Sequence, residues 1–215
     1  MKSVLVALAL VSAGRAYATM PSLVGTLNIT QPAFLGLVPG LSSGNSQTLL
    51  ISQFTGNPLA KDKISAVLDV NKYASTDTWS HAPVTELTDE ITWPNTNSVP
   101  SAGQLGDSFS GFISSGGFLV PPKCVGAVSA VSVPTGGSLG DGSATVTTIS
   151  APKGTALSGG WFYHMSLPLD VDGDGLEDIV TARAIKPIFG ASGGELVWLK
   201  RPSGQDPLAP SVLPW

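Results

Sequence analysis

The sequence holds one cysteine, two histidines and charged side chains at only 12% of its 215 positions. A single cysteine, Cys124, excludes an intrachain disulfide, so the fold must rest on burial, hydrogen bonds and any bound metal. Two histidines, His81 and His164, exclude a histidine-rich metal site. No segment keeps the three- and four-residue apolar spacing of an amphipathic helix. Clustered lysine and arginine are also missing, and with them the electrostatic basis for binding nucleic acid. No apolar run approaches the ~20 residues that a membrane-spanning helix needs.

What the chain does contain is apolar material, 42% of residues, and turn formers: 25 glycines and 17 prolines. That is enough to build a core. Short β-branched runs punctuated by glycine, proline, serine and asparagine imply an all-β fold of short antiparallel strands.

The first residues stand apart from this pattern. Lys2 gives a positive start, residues 4–11 are a compact apolar run, and Ala16-Tyr17-Ala18 is a small-x-small cleavage pattern. Residues 1–18 are therefore expected to be a secretory signal peptide, cut after Ala18. Its removal takes away Lys2 and Arg15 and no acid, leaving nine basic against fifteen acidic residues, a net charge of about −6. A secreted, acidic chain suits a cation binder. In that compartment Asn28-Ile29-Thr30 is a glycosylation sequon with Asn28 as acceptor. Cys124 is either a small buried side chain or the origin of an interchain bridge.

Three segments share a plan in which one strand-like run is followed, after a turn-rich gap, by a second. They are residues 48–54 with 63–70, 117–120 with 126–133, and 178–183 with 194–200. Recurrence every ~50 to 70 residues suggests β-propeller-like antiparallel blades. Three units are fewer than the roughly four to eight blades that close a ring. Residues 19–215 are accordingly expected to form an incomplete propeller with exposed sheet faces and edges. A plain β-sandwich is the competing architecture.

Five of the fifteen acids fall within nine residues, in Asp170-Val-Asp-Gly-Asp-Gly-Leu-Glu-Asp178. So dense a cluster repels itself unless a cation neutralises it. Asp170, Asp172 and Asp174 at loop positions 1, 3 and 5 project carboxylates toward one centre, and Gly175 allows the bend. The Leu176 carbonyl and Asp178 would complete an all-oxygen set, which favours Ca2+ over zinc or magnesium. An EF-hand does not fit, because position 12 is Thr181 and the residues after the loop are β-like. The loop belongs between strands.

This loop, its following strand and Gly193-Gly194-Glu195-Leu-Val-Trp-Leu199 together resemble the VCBS and FG-GAP repeats of extracellular propellers such as integrin α-chain heads. The resemblance spans residues 161–202. It implies one calcium held between two strands of a blade by Asp170, Asp172, Asp174, the Leu176 carbonyl and Asp178. Thr181-Ala-Arg-Ala184 stands where FG-GAP units carry Gly-Ala-Pro, and Phe189-Gly190 follows the loop instead of preceding it. The chain is thus closer to the VCBS form.

Catalytic candidates are weaker. Gly40-Leu-Ser-Ser-Gly44 matches the pattern of a nucleophile elbow, with Ser42 as nucleophile and His81 or His164 as base, but Pro39 precedes it and a β-like run follows. His164, beside Trp161, Phe162 and Tyr163, is expected to be a packed strand residue. Trp79, Trp93, Trp161, Trp198 and Trp215 are either core or sugar-stacking platforms, and Trp198 is expected to be buried. The glycine-rich residues 114–117 and 135–140 lack a Walker lysine and a following helix, so they are loops and not phosphate cradles.

The sequence therefore implies a secreted, calcium-binding, non-catalytic protein that engages an extracellular protein, glycan or mineralised matrix, with self-association through exposed blades or Cys124. An extracellular hydrolase or lyase on a propeller scaffold is the alternative, and a truncated, non-functional relative of a longer propeller is the third.

Overall fold

The computed structural model describes residues 23, 25–39, 41, 46–106, 109–119, 121–133, 144–151, 155, 159–211 and 213–215. The expected leader at residues 1–18, Ser42 and the glycine-rich residues 135–140 lie outside them. The described chain is all-β. Its helices are one 3-10 turn at Val70–Tyr73 and one short helix, α1, at Thr76–Trp79, and no described helix is long and apolar enough to cross a membrane.

Among the described residues eleven strands form three antiparallel sheets, each a simple meander. The first runs β1 (Pro32–Pro39), β2 (Gln47–Gln53), β3 (Lys63–Val67), β4 (Thr85–Thr88). The second runs β5 (Asn97–Ser98), β6 (Gly111–Ser115), β7 (Val128–Ser132), β8 (Thr145–Ser150). The third has three strands: β9 (Trp161–Leu169), β10 (Asp178–Ile185), β11 (Gly193–Leu199).

The two-residue period of a strand explains how these sheets stack. In β2, Leu50 packs with Val38, Ile64 and Leu87 of its own sheet and with Phe112 and Val131 of the second. Its neighbours Leu49 and Ile51 face the other way, where Leu27, Ile29 and Trp79 cover them. In β6 the same alternation sends Phe112 toward the first sheet and Ile113 toward Tyr163, Ile179 and Leu199 of the third. Continuous apolar runs here are strands buried on both faces. Full burial of each such side chain contributes about 1.5–3 kcal/mol.

Backbones approach closely where the second sheet meets the third. A Cβ on Gly126 would lie 1.9 Å from the Gly116 carbonyl oxygen, so only glycine fits. The Gly126 amide donates to the Trp161 carbonyl at 2.8 Å. Asn95 adds a side-chain tie, donating from Nδ2 to the carbonyls of Tyr163 at 2.6 Å and Gly117 at 2.9 Å.

Among the described residues the third sheet is the last of the stack. On its outer face Met165, Leu167, Leu196 and Trp198 are exposed. Trp198 is therefore not buried as expected: it is 48% exposed, because among the described residues no further sheet covers the side of β11 on which it lies. His164 sits on a strand but is exposed, at a register irregularity between β9 and β10, with its ring edge-on to Phe162 at 5.1 Å. The first run of the second segment is also displaced. Residues 117–119 are not strand, and Gly111–Ser115 takes that place. Cys124 is 1% exposed, a small buried side chain.

Candidate metal centre

The aspartate-rich loop, residues 170–177, connects β9 to β10, two antiparallel neighbours. It begins where β9 ends at Leu169, and Asp178 opens β10. Gly173 and Gly175 have φ of 77° and 85°, left-handed values that a side chain resists. These two residues let the loop fold back so that the aspartates at its first, third and fifth positions converge. Asp170 accepts hydrogen bonds from the amides of Gly173 (2.8 Å) and Gly175 (2.9 Å), and Asp174 from the amide of Leu176 (2.9 Å).

One carboxylate oxygen from each of Asp170, Asp172 and Asp174 lies within 4.8 Å of the other two. Calcium–oxygen distances of about 2.3–2.6 Å allow two ligands of one ion to be at most about 5 Å apart, so the three oxygens fit a single cation. The set is all hard oxygen and solvent-accessible, which suits Ca2+ with water completing its shell.

Asp178 behaves differently. It is 1% exposed, and its Oδ1 accepts from the Arg201 amide at 2.8 Å while Oδ2 accepts from the Trp198 indole Nε1 at 2.8 Å. The Val171 amide approaches the same Oδ2 at 3.4 Å. Asp178 thereby fixes the base of the loop to the end of β11. Leu176 is half-buried.

Several residues that shape the site carry no signal in the local motif. Glu177 turns away from the cluster, and its carboxylate accepts from the Ser101 amide at 2.8 Å and from the Ser101 hydroxyl. Gln104 accepts from the Glu177 amide (2.8 Å) and from Arg201 Nη1 (3.0 Å), and donates to the Gly175 carbonyl (3.2 Å). The loop is thus clamped by a turn of the second sheet more than 70 residues earlier, which no sequence pattern indicates. Lys200 had a legible signal, being the first cation after β11. Its ammonium pairs with Asp172 and lies 3.7 Å from Asp174 Oδ2.

The Lys200 hydrogen bond is the main cause that holds the Asp172 carboxyl below the ordinary aspartate value, and Asp172 in turn raises Lys200. A depressed carboxylate contributes stability above its unfolded pKa and loses it as pH falls through the folded value. The Asp172–Lys200 contact should therefore persist just below the usual carboxylate range and break only in stronger acid. A carbon-detected NMR titration should place the Asp172 midpoint below that of an unstructured aspartate, and Lys200→Gln should move it upward. An unmoved midpoint would show that the pair does not form in solution.

The other sequence candidates are scattered. His81 is exposed in the turn after α1, far along the chain from His164 on β9. Asn28 is exposed, as an acceptor must be. Trp93 is sandwiched between Phe54 and Phe118 with ring centroids 4.4 Å away on each side, so neither face can stack on a sugar. Trp161 carries the Arg183 guanidinium 4.7 Å from its ring centre, and Trp79 and Trp215 pack against core clusters. Comparison of the chain with protein-family models, curated proteins and solved structures found no match.

Proposed function

We propose that this chain is a secreted, non-catalytic calcium-binding protein of propeller type, acting in extracellular binding or adhesion. The observation that carries this reading is the convergence of Asp170, Asp172 and Asp174 on one point in a loop between two antiparallel strands. Asp170, Asp172 and Asp174 would hold the ion, while Asp178, whose two oxygens accept from the Arg201 amide and the Trp198 indole, anchors the loop beneath them. Lys200 gives way when the ion enters, since both cannot neutralise the same carboxylates at close range.

The arrangement of the sheets supports blades over a sandwich. Their first strands begin at residues 32, 97 and 161, a near-constant interval. Each sheet is a meander of neighbours in sequence, and β5 lies against both β1 and β9. First strands brought together in this way are what a propeller places around its axis. Calcium in this setting is structural: it relieves crowded carboxylates and binds the folded loop in preference to the unfolded chain.

The test is thermal unfolding in calcium and in chelator. With a site of about 10⁻⁴ M affinity and calcium a hundredfold above it, linkage adds about 2.7 kcal/mol. For a chain of this size that is a rise in Tm of roughly 5–11 °C. Asp174→Ala should abolish the rise while leaving the chelated protein little changed. A wild type whose Tm ignores calcium would remove the reading.

A further inference from the structure

We propose that β11 is a self-association edge, at which two copies of this chain pair their β11 strands antiparallel about a two-fold axis centred on Leu196. The partner strand takes the fourth position that the first and second sheets fill from within and the third does not.

The outer strands of the other sheets are closed or short. β1 is bounded by Pro32 and Pro39, and β4 has four residues. On β8, the Ile149 carbonyl accepts from the Trp215 amide at 3.0 Å. On β9, the carbonyls of His164 and Ser166 accept from the hydroxyls of Thr96 (2.9 Å) and Ser98 (2.6 Å). Among the described residues β11 has none of these protections. It is seven residues long without proline or lysine, and Gly193, Gly194, Glu195 and Leu196 are exposed. Such an edge is a template for another strand.

The side-chain pattern identifies that strand as a second β11. With Leu196 on the axis, antiparallel pairing sets Leu196 against its own copy and all seven residues find partners. Trp198 then lies opposite the partner's Gly194, where the absence of a Cβ leaves a flat floor for the indole, and Leu199 lies opposite the partner's Gly193. The one charge in the strand, Glu195, faces the partner's Val197 and is already neutralised by its own Arg183, with Oε2 2.7 Å from Nη2 and 2.9 Å from Nε. No like charges oppose, whereas a register centred one residue earlier would set Glu195 against Glu195. Leu196, 78% exposed in the single chain, gains an apolar neighbour.

Residues opposed across antiparallel strands have Cα atoms about 4.5–5.5 Å apart, within the span of a disulfide. Leu196→Cys should therefore oxidise rapidly to a covalent dimer, whereas Leu59→Cys, at a still more exposed leucine in the connection between β2 and β3, should not. Sedimentation of the mature chain should give twice its monomer mass at high concentration, and Leu196→Lys, which opposes two cations, should give the single mass while keeping the wild-type Tm measured at a concentration too low for pairing. A wild type that stays monomeric across the series overturns the proposal. So does a dimer that survives Leu196→Lys, or one in which Leu196→Cys cross-links no faster than Leu59→Cys.

Discussion

Replacing Asp62 by alanine is expected to destabilise the protein by about 3–5 kcal/mol, the cost of breaking one side of a buried ion pair. Asp62 and Lys123 are both buried, and their charged atoms lie 2.6 Å apart. The carboxylate does more than neutralise the lysine. Its Oδ1 accepts from the Thr55 amide and its Oδ2 from the Trp93 amide, each at 2.8 Å. Trp93 has φ of 47°, a left-handed conformation that a bulky residue adopts only when its surroundings impose it. Asp62 supplies part of that restraint, and the stack of Phe54, Trp93 and Phe118 supplies the rest. Lys123 completes the cluster, its ammonium 5.6 Å from the Trp93 ring centre.

The pair joins the start of β3 in the first sheet to the connection between β6 and β7 in the second, so its loss loosens the contact between the two sheets. Denaturant unfolding should show the midpoint of Asp62→Ala falling steeply. The double variant Asp62→Ala/Lys123→Met should recover much of the loss, because it removes the orphaned charge and restores packing. Asp89→Ala, which deletes the exposed pair with Lys61, should leave the midpoint almost unmoved. A single Asp62 variant as stable as the wild type would mean that water reaches the site and the pair is not buried in solution.

The all-β class and the placement of the loop were legible because they rest on local chemistry. Three aspartates at alternate positions with glycine after the third specify a turn, and the apolar residues on either side specify strands. The same local reading failed where burial depends on distant partners. In β11 the run Leu196-Val-Trp-Leu199 is apolar on both faces, as a strand in the middle of a stack would be. Val197 and Leu199 do face the core, but among the described residues nothing covers Leu196 and Trp198, because the third sheet is the last of the stack. No periodicity can tell the last sheet from an inner one. β5 was invisible for a different reason: two residues, Asn97 and Ser98, are too short for a pattern, and they owe their place to contacts with β6 and β9. The Ser101 and Gln104 clamp on the loop belongs to this class too.

Asp178→Ala is expected to cost about 2–4 kcal/mol even in chelator, and so to separate the anchor of the loop from its ligands. A hydrogen bond to a charged acceptor contributes roughly 1.5–3 kcal/mol, and Asp178 accepts from both the Arg201 amide and the Trp198 indole. Its removal leaves the Arg201 amide without that acceptor in a buried setting and frees the indole that β11 holds against β10. Asp170, Asp172 and Asp174 are exposed or nearly so, and their bonds lie within the loop or reach Lys200. In the absence of calcium their alanine variants should be close to wild type. The near-ultraviolet signal of Trp198 should therefore change in Asp178→Ala with or without calcium, while Asp174→Ala should change only the response to calcium. If the Asp178 and Asp174 variants instead proved equally stable in chelator and equally blind to calcium, Asp178 would be a ligand alone, and the anchoring of the loop would rest on Ser101 and Gln104.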